Sequence, residues 1–163
     1  MIEYNDKWRM YGLVNYQLSG IQQGIQFGHA VQEYNNMMFD SDFVTNGLEE
    51  SFNEWRHSCK TFIILNGGTT NSNPERFGTL NQHLVNLTDM QIVCASFREP
   101  DLGDQLTAFA FLVNEKVYNK EKYPSYDERI IRINEEDYYS EMFGQDWTKI
   151  IELREYLSKL KLA

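Results

Sequence analysis

Cysteine is almost absent from this chain: Cys59 and Cys94 are the only two in 163 residues. Each lies beside or within an apolar run, so both read as buried free thiols in a reducing compartment rather than as a disulfide framework. Neither has a nearby Cys or His at zinc-ligand spacing, which argues against a metal site built on them. Histidine is equally scarce, with three residues. No apolar run approaches the length of a membrane-spanning helix. The opening MIEYNDKWRM lacks the apolar core of a secretory signal. Basic residues are outnumbered, 15 Lys and Arg against 24 Asp and Glu, for a formal net charge of -9. Such a chain repels phosphate backbones at long range, which argues against a nucleic-acid partner. It leaves room for a small nucleotide held by neutral donors such as backbone N–H groups, Gln, Asn and Thr. No cofactor is implied, and the expected location is the cytoplasm.

What is present is a globular pattern, since 42% hydrophobic residues are enough to build a core in a single domain of this length. WRMYGLVNY (8–16) reads as a strand. Ser19 is a helix N-cap for the segment after it. There Ile21, Ile25, Gly28 and Val31 share one face, expected to point inward. Gly20, Gly24 and Gly28 recur every four residues, a stripe that predicts close packing, most simply against a sheet. TNGLEESFNEWRH (45–57) is a second amphipathic helix with Leu48, Phe52 and Trp55 inward. KTFIILNGG (60–68) is a continuous apolar run, the pattern of a strand buried on both faces. TLNQHLVNL (79–87) is helical, QIVCASF (91–97) another buried strand, and LTAFAFLV (106–113) a fourth. This alternation predicts an α/β fold, a layered mixed sheet of about four strands flanked by helices. Residues 1–118 form its core and 119–163 a mostly helical C-terminal extension. In that extension DERIIRIN is ambiguous, EEDYYSEMF is helical, and Ile150, Leu153, Leu157 and Leu160 make the apolar stripe of a last helix. Core packing is the first reading of that helix; a homodimer contact or a lid is the second.

Three constellations carry chemistry. Gln22, Gln26, His29 and Glu33 fall on one helical stripe, which is either a solvated face or a working surface of amide and imidazole groups. Asn66, Gly67, Gly68, Thr69, Thr70 and Asn71 follow a strand, and form either a plain surface loop or a ligand site in which glycines let backbone approach, Thr and Asn add neutral donors, and Arg76 could meet a phosphate. The motif is neither a Walker loop nor GxGxxG. REPDLGDQ (98–105) supplies Arg98, Glu99, Asp101 and Asp104. Asp104 reads as a turn residue. Glu99 and Asp101 both remain open as a carboxylate base.

The order of elements, with QFGHA (26–30) on the first helix and REPDLGDQLTAFAF before the last strand, resembles the type-2 peptidyl-tRNA hydrolases over residues 8–113. It is also similar to a small-protein family of T4-type bacteriophages. The resemblance implies a peptidyl-tRNA hydrolase-like α/β fold with a site at Gln26, His29, an acid (Glu99 or Asp101) and Thr107. Lysines that this family carries ahead of the glutamine are replaced here by Gly20 and Gln22. An esterase mechanism would therefore rest on His29 as acid/base or polar anchor, with Glu99 or Asp101 assisting. With the cations gone, the first expectation is a binder of a small nucleotide-derived ligand through Gln22, Gln26, His29, Asn66, Gly67, Gly68, Thr69 and Thr107. In a phage setting such a protein would sequester a host immune signalling nucleotide in the host cytoplasm. Hydrolase activity comes second, and a structural or partner-binding protein with a vestigial pocket third.

Overall fold

A computed structural model describes residues 4–40 and 47–163. Thr45 and Asn46, placed above at the start of the second helix, lie outside the described residues. The chain divides into two compact units, residues 1–113 with 160–163, and residues 114–159.

The first unit is built on one open four-stranded mixed sheet, of spatial order β2-β1-β4-β3. Strand β1 spans Trp8–Val14, β2 Thr61–Asn66, β3 Ala95–Glu99 and β4 Gln105–Asn114. β1 and β2 are parallel, with Met10 opposite Phe62 and Val14 opposite Asn66. β3 and β4 are antiparallel, with a register shift between Phe97 and Arg98. The helices are α1 (Gly20–Phe39), α2 (Leu48–Glu54, continued by a π-turn over Trp55–Cys59) and α3 (Thr79–Asp89). No helix among the described residues is long and apolar enough to cross a membrane.

Sheet order decides burial here. β4 is interior, and Leu106 to Val113 are all buried. β2 is an edge strand with Phe62 52% exposed, so its apolar run does not mark burial on both faces. The expected strand over 91–97 starts only at Ala95. Gln91 takes a left-handed φ of 62°, and β3 alternates along the other edge.

The expected inward face of α1 is also corrected. Gln26, Phe27, Ala30, Tyr34 and Met38 are its buried residues, whereas Ile21 is 80% exposed and Ile25 52%. Aromatic and long side chains won the contact with the sheet, and the isoleucines lie on the opposite side. The glycine stripe therefore serves no close approach: a Cβ at Gly20, Gly24 or Gly28 would meet nothing within 4 Å. The close approach lies on the strand. A Cβ at Gly12 of β1 would sit 2.2 Å from the Phe27 ring and 3.0 Å from the Phe109 carbonyl, so this glycine is what lets α1 settle on the sheet. Cys59 and Cys94 are free thiols, and burial pushes that of Cys94 up to about 12.

The second unit contains α4 (Glu115–Tyr118), α5 (Glu135–Phe143) and α6 (Trp147–Ser158). Its small core is Tyr138, Tyr139 and Phe143, ringed by Tyr123, Tyr126, Trp147 and Ile150. Arg154 on α6 is buried with no carboxylate on it among the described residues. Its guanidinium donates to the carbonyls of Tyr123 and Lys116 and lies 4.9 Å over the Phe143 ring. Burial lowers its pKa. The DERIIRIN stretch forms neither helix nor strand beyond a turn. α6 ends at Ser158, so Leu160 leaves the expected helical stripe and belongs to the first unit.

Candidate functional site

The turn after β1, the loop after β2, the end of β3 and the start of β4 meet at one end of the sheet, tied by hydrogen bonds. Asn15 donates its backbone N–H to the Thr107 carbonyl at 3.0 Å and its side-chain amide to Thr70 Oγ1 at 3.1 Å. Thr70 donates to the Leu106 carbonyl at 2.5 Å. Ser19 caps α1 as expected, in a full capping box with Gln22. That box gives Gln22 its place: an exposed residue whose Oε1 accepts from the Ser19 N–H at 3.3 Å, at the helix end and apart from the polar cluster described next. Its neighbour Gln23 reaches back to the carbonyls of Asn15, Tyr16 and Leu18, closing the turn between β1 and α1.

Gln26 is the centre of the site. It is 8% exposed and faces the sheet. Its Nε2 donates to Glu99 Oε2 at 2.7 Å, and its Oε1 accepts from Thr107 Oγ1 at 2.5 Å. A buried primary amide without such partners would carry a desolvation penalty of about 1–3 kcal/mol, and here it is matched on both sides. Thr107 is 2% exposed. Of the two acids left open by the sequence, Glu99 is the one in this network. Asp101 is exposed on the short 3-10 turn Pro100–Leu102. Asp104 is a turn residue, with a left-handed φ of 57° and its N–H on the Glu99 carbonyl at 3.1 Å. Among the described residues Arg98 reaches only the Asp104 carbonyl, at 3.5 Å.

His29, one helical step beyond Gln26, is exposed and lies flat on Phe97, with ring centroids 4.4 Å apart and planes 17° from parallel. Phe97 and Glu99 stand two apart on β3, so the helix and strand present imidazole and carboxylate along one seam. Glu33 is exposed on the same side of the helix. Neither ring nitrogen of His29 has a hydrogen-bond partner among the described residues, and the second oxygen of Glu99 has none either.

The loop after β2 is occupied by its own bonds. The Gly67 N–H donates to the Val14 carbonyl, Gly68 to Asn66 Oδ1, Thr69 to Thr79 Oγ1, and Asn71 to Asn81 Oδ1. Asn66 donates its own N–H to the Lys161 carbonyl. The loop is thus a braced corner rather than an open cradle of N–H groups. Arg76 is exposed on the short 3-10 turn that follows. Asn15, Gln23 and Phe97 are the residues that sequence reasoning missed. Asn15 lies just past the carboxyl end of β1, as the expected Thr70 does past that of β2, and this position could have flagged it. Among the described residues no three His, Cys, Asp or Glu side chains are grouped as metal ligands would be. No family model matches the chain, and no curated protein does.

Proposed function

We propose that this protein binds a small nucleoside-derived ligand at the α1–β3 seam, by stacking and neutral hydrogen bonds rather than by charge. The observation that carries the reading is the buried Gln26 amide, which holds Glu99 in place through one end and is itself fixed by Thr107 through the other. A carboxylate aimed by a buried donor, with one oxygen still to satisfy, suits ribose hydroxyls or an exocyclic amine. The His29 ring, backed by Phe97, offers a flat platform for a base. The acids Glu99, Asp101 and Asp104 around the turn disfavour a phosphate there, so the sugar or base belongs at Glu99 and any phosphate farther out. The loop N–H groups that would serve an oxyanion are already used by the chain, which favours binding over hydrolysis. The resemblance to phage proteins adds a role for such a binder: sequestering a host immune signalling nucleotide.

The test is a thermal-shift screen of nucleosides, mononucleotides and cyclic oligonucleotides, followed by mass spectrometry of the ligand released on denaturation. A ligand at a hundred times its Kd raises stability by about 2.7 kcal/mol. We expect intact recovery, and loss of the shift in His29→Ala and Glu99→Gln with the unliganded melting temperature nearly unchanged. A panel with no shift refutes the reading. Product formed in proportion to protein and abolished by His29→Ala replaces binding with hydrolysis.

A second expectation follows from charge. With a net charge of -9 and no cation in the first turn of α1, tRNA binding at physiological salt should be no tighter than the non-specific range of about 10⁻⁴–10⁻⁶ M. Filter binding across a salt series checks it, and tight, steeply salt-dependent binding would revive peptidyl-tRNA as substrate.

A further inference from the structure

β2 reads TFIILN and carries no charge. It lies at an end of the sheet, in unbroken register with β1 from Arg9–Thr61 to Val14–Asn66. Edge strands of this kind template pairing with other chains, and proteins guard them with a lysine, a proline, a bulge or a cover. β2 contains no lysine, proline or bulge; the nearest charge, Lys60, precedes it. Its cover is the segment 160–163. Leu65 bridges Leu162 in antiparallel sense, the Asn66 N–H donates to the Lys161 carbonyl at 2.8 Å, and the Ala163 N–H donates to the Ile64 carbonyl at 3.0 Å. These bonds show that Ile64 and Asn66 turn their peptide groups outward, and by alternation so does Phe62. The cover is held by backbone alone at its centre, since the Leu162 side chain is 72% exposed. Two backbone hydrogen bonds in water are a weak clasp.

We infer that residues 160–163 are a displaceable strap on a strand-addition site, and that with the strap lifted the β2 edge pairs with β2 of a second copy. The strap shows that the edge accepts an antiparallel strand. Two identical edges related by a two-fold axis meet antiparallel by symmetry. The uncharged TFIILN also places no like charges across the junction, whereas the chain as a whole is strongly acidic. Phe62, half exposed beside Phe27 and Trp55, is positioned for a cross-strand aromatic contact.

Two full-length variants test this. Ala163→Pro deletes the N–H that binds Ile64, and replacing residues 160–163 by Gly-Ser-Gly-Ser removes the strap's register altogether. Amide hydrogen exchange at Asn66 and light-scattering mass over a concentration series are the readouts. The native chain should be monomeric with Asn66 protected. Both variants should exchange Asn66 about tenfold faster or more at low concentration, as expected for loss of a local clasp. Both should form a concentration-dependent dimer, which Phe62→Lys added to the Gly-Ser variant returns to monomer. Unchanged Asn66 exchange, a variant that stays monomeric at every concentration, or a native dimer indifferent to the strap overturns the inference. Open-ended aggregation in place of a dimer overturns the two-fold pairing.

Discussion

Gly78→Ala is expected to destabilise the protein by about 3 kcal/mol, while Gly24→Ala stabilises it by about 0.5–1 kcal/mol. Both residues are glycines near or within helices, and their surroundings set the sign. Gly78 precedes α3 in ordinary extended backbone, so conformation is not at stake. Space is: a Cβ there would lie 2.4 Å from Asn71 N, 2.5 Å from Thr69 O and 2.7 Å from Thr70 C. All three are backbone atoms of the braced corner after β2, and none can rotate aside. Relieving the clash means breaking the bonds from Gly78 N–H to the Asn71 carbonyl and from Leu80 N–H to the Thr69 carbonyl. It also pulls Thr70 from the Leu106 carbonyl, beside the candidate site. Gly24 lies within the twenty residues of α1 with open space at its Cβ, so alanine only removes the conformational freedom that glycine loses on folding. Chemical denaturation of the two variants checks the pair. A mild effect at Gly78 would mean that the corner gives way easily, and a loss at Gly24 would reveal a contact on the outer face of α1.

The contrast between these glycines also marks where the sequence was legible. Order and type of elements came from local signals: the Ser19 cap, the 3.6-residue spacing of Leu80, Leu84 and Leu87, and the apolar runs of β1 and β4. What local signals cannot carry is which face meets which. On α1 two stripes competed, and aliphatic Ile21 and Ile25 looked more like core than a stripe containing Gln26. The winner was decided by partners 73 and 81 residues away, Glu99 and Thr107, which make a buried glutamine acceptable. The same non-locality hid the edge position of β2, whose composition is that of an interior strand. It also hid the strap, which pairs residues nearly a hundred positions apart. Within the site, Gln26, His29, Glu99 and Thr107 were readable as candidates, and the structure brings them to one seam. Gln22, predicted on the same footing, serves instead as half of a capping box.

The Gln26 network should behave as a unit. Thr107→Val preserves shape and leaves Gln26 Oε1 without its donor in a site from which water is excluded, at an expected cost of about 1–3 kcal/mol. Gln26→Leu removes the donor to Glu99 and the acceptor for Thr107 together, and should cost about 2–3 kcal/mol. Among the described residues the Thr107 hydroxyl then has only the Phe97 carbonyl, at 3.5 Å, to turn to. In the double variant the two apolar side chains satisfy each other. Its loss should therefore fall short of the sum by about 1 kcal/mol or more, the signature of a shared interaction rather than two separate ones. Ligand response distinguishes the roles. Thr107→Val leaves the bond from Gln26 to Glu99 in place and should weaken binding only in part, whereas Gln26→Leu frees the Glu99 carboxylate to rotate and should abolish the thermal shift. Denaturant midpoints for the four members of the cycle, measured with and without ligand, decide this. Additivity within about 0.5 kcal/mol would show that Gln26 and Thr107 act independently. A Gln26→Leu protein that still binds ligand would move the recognition of that ligand away from Glu99.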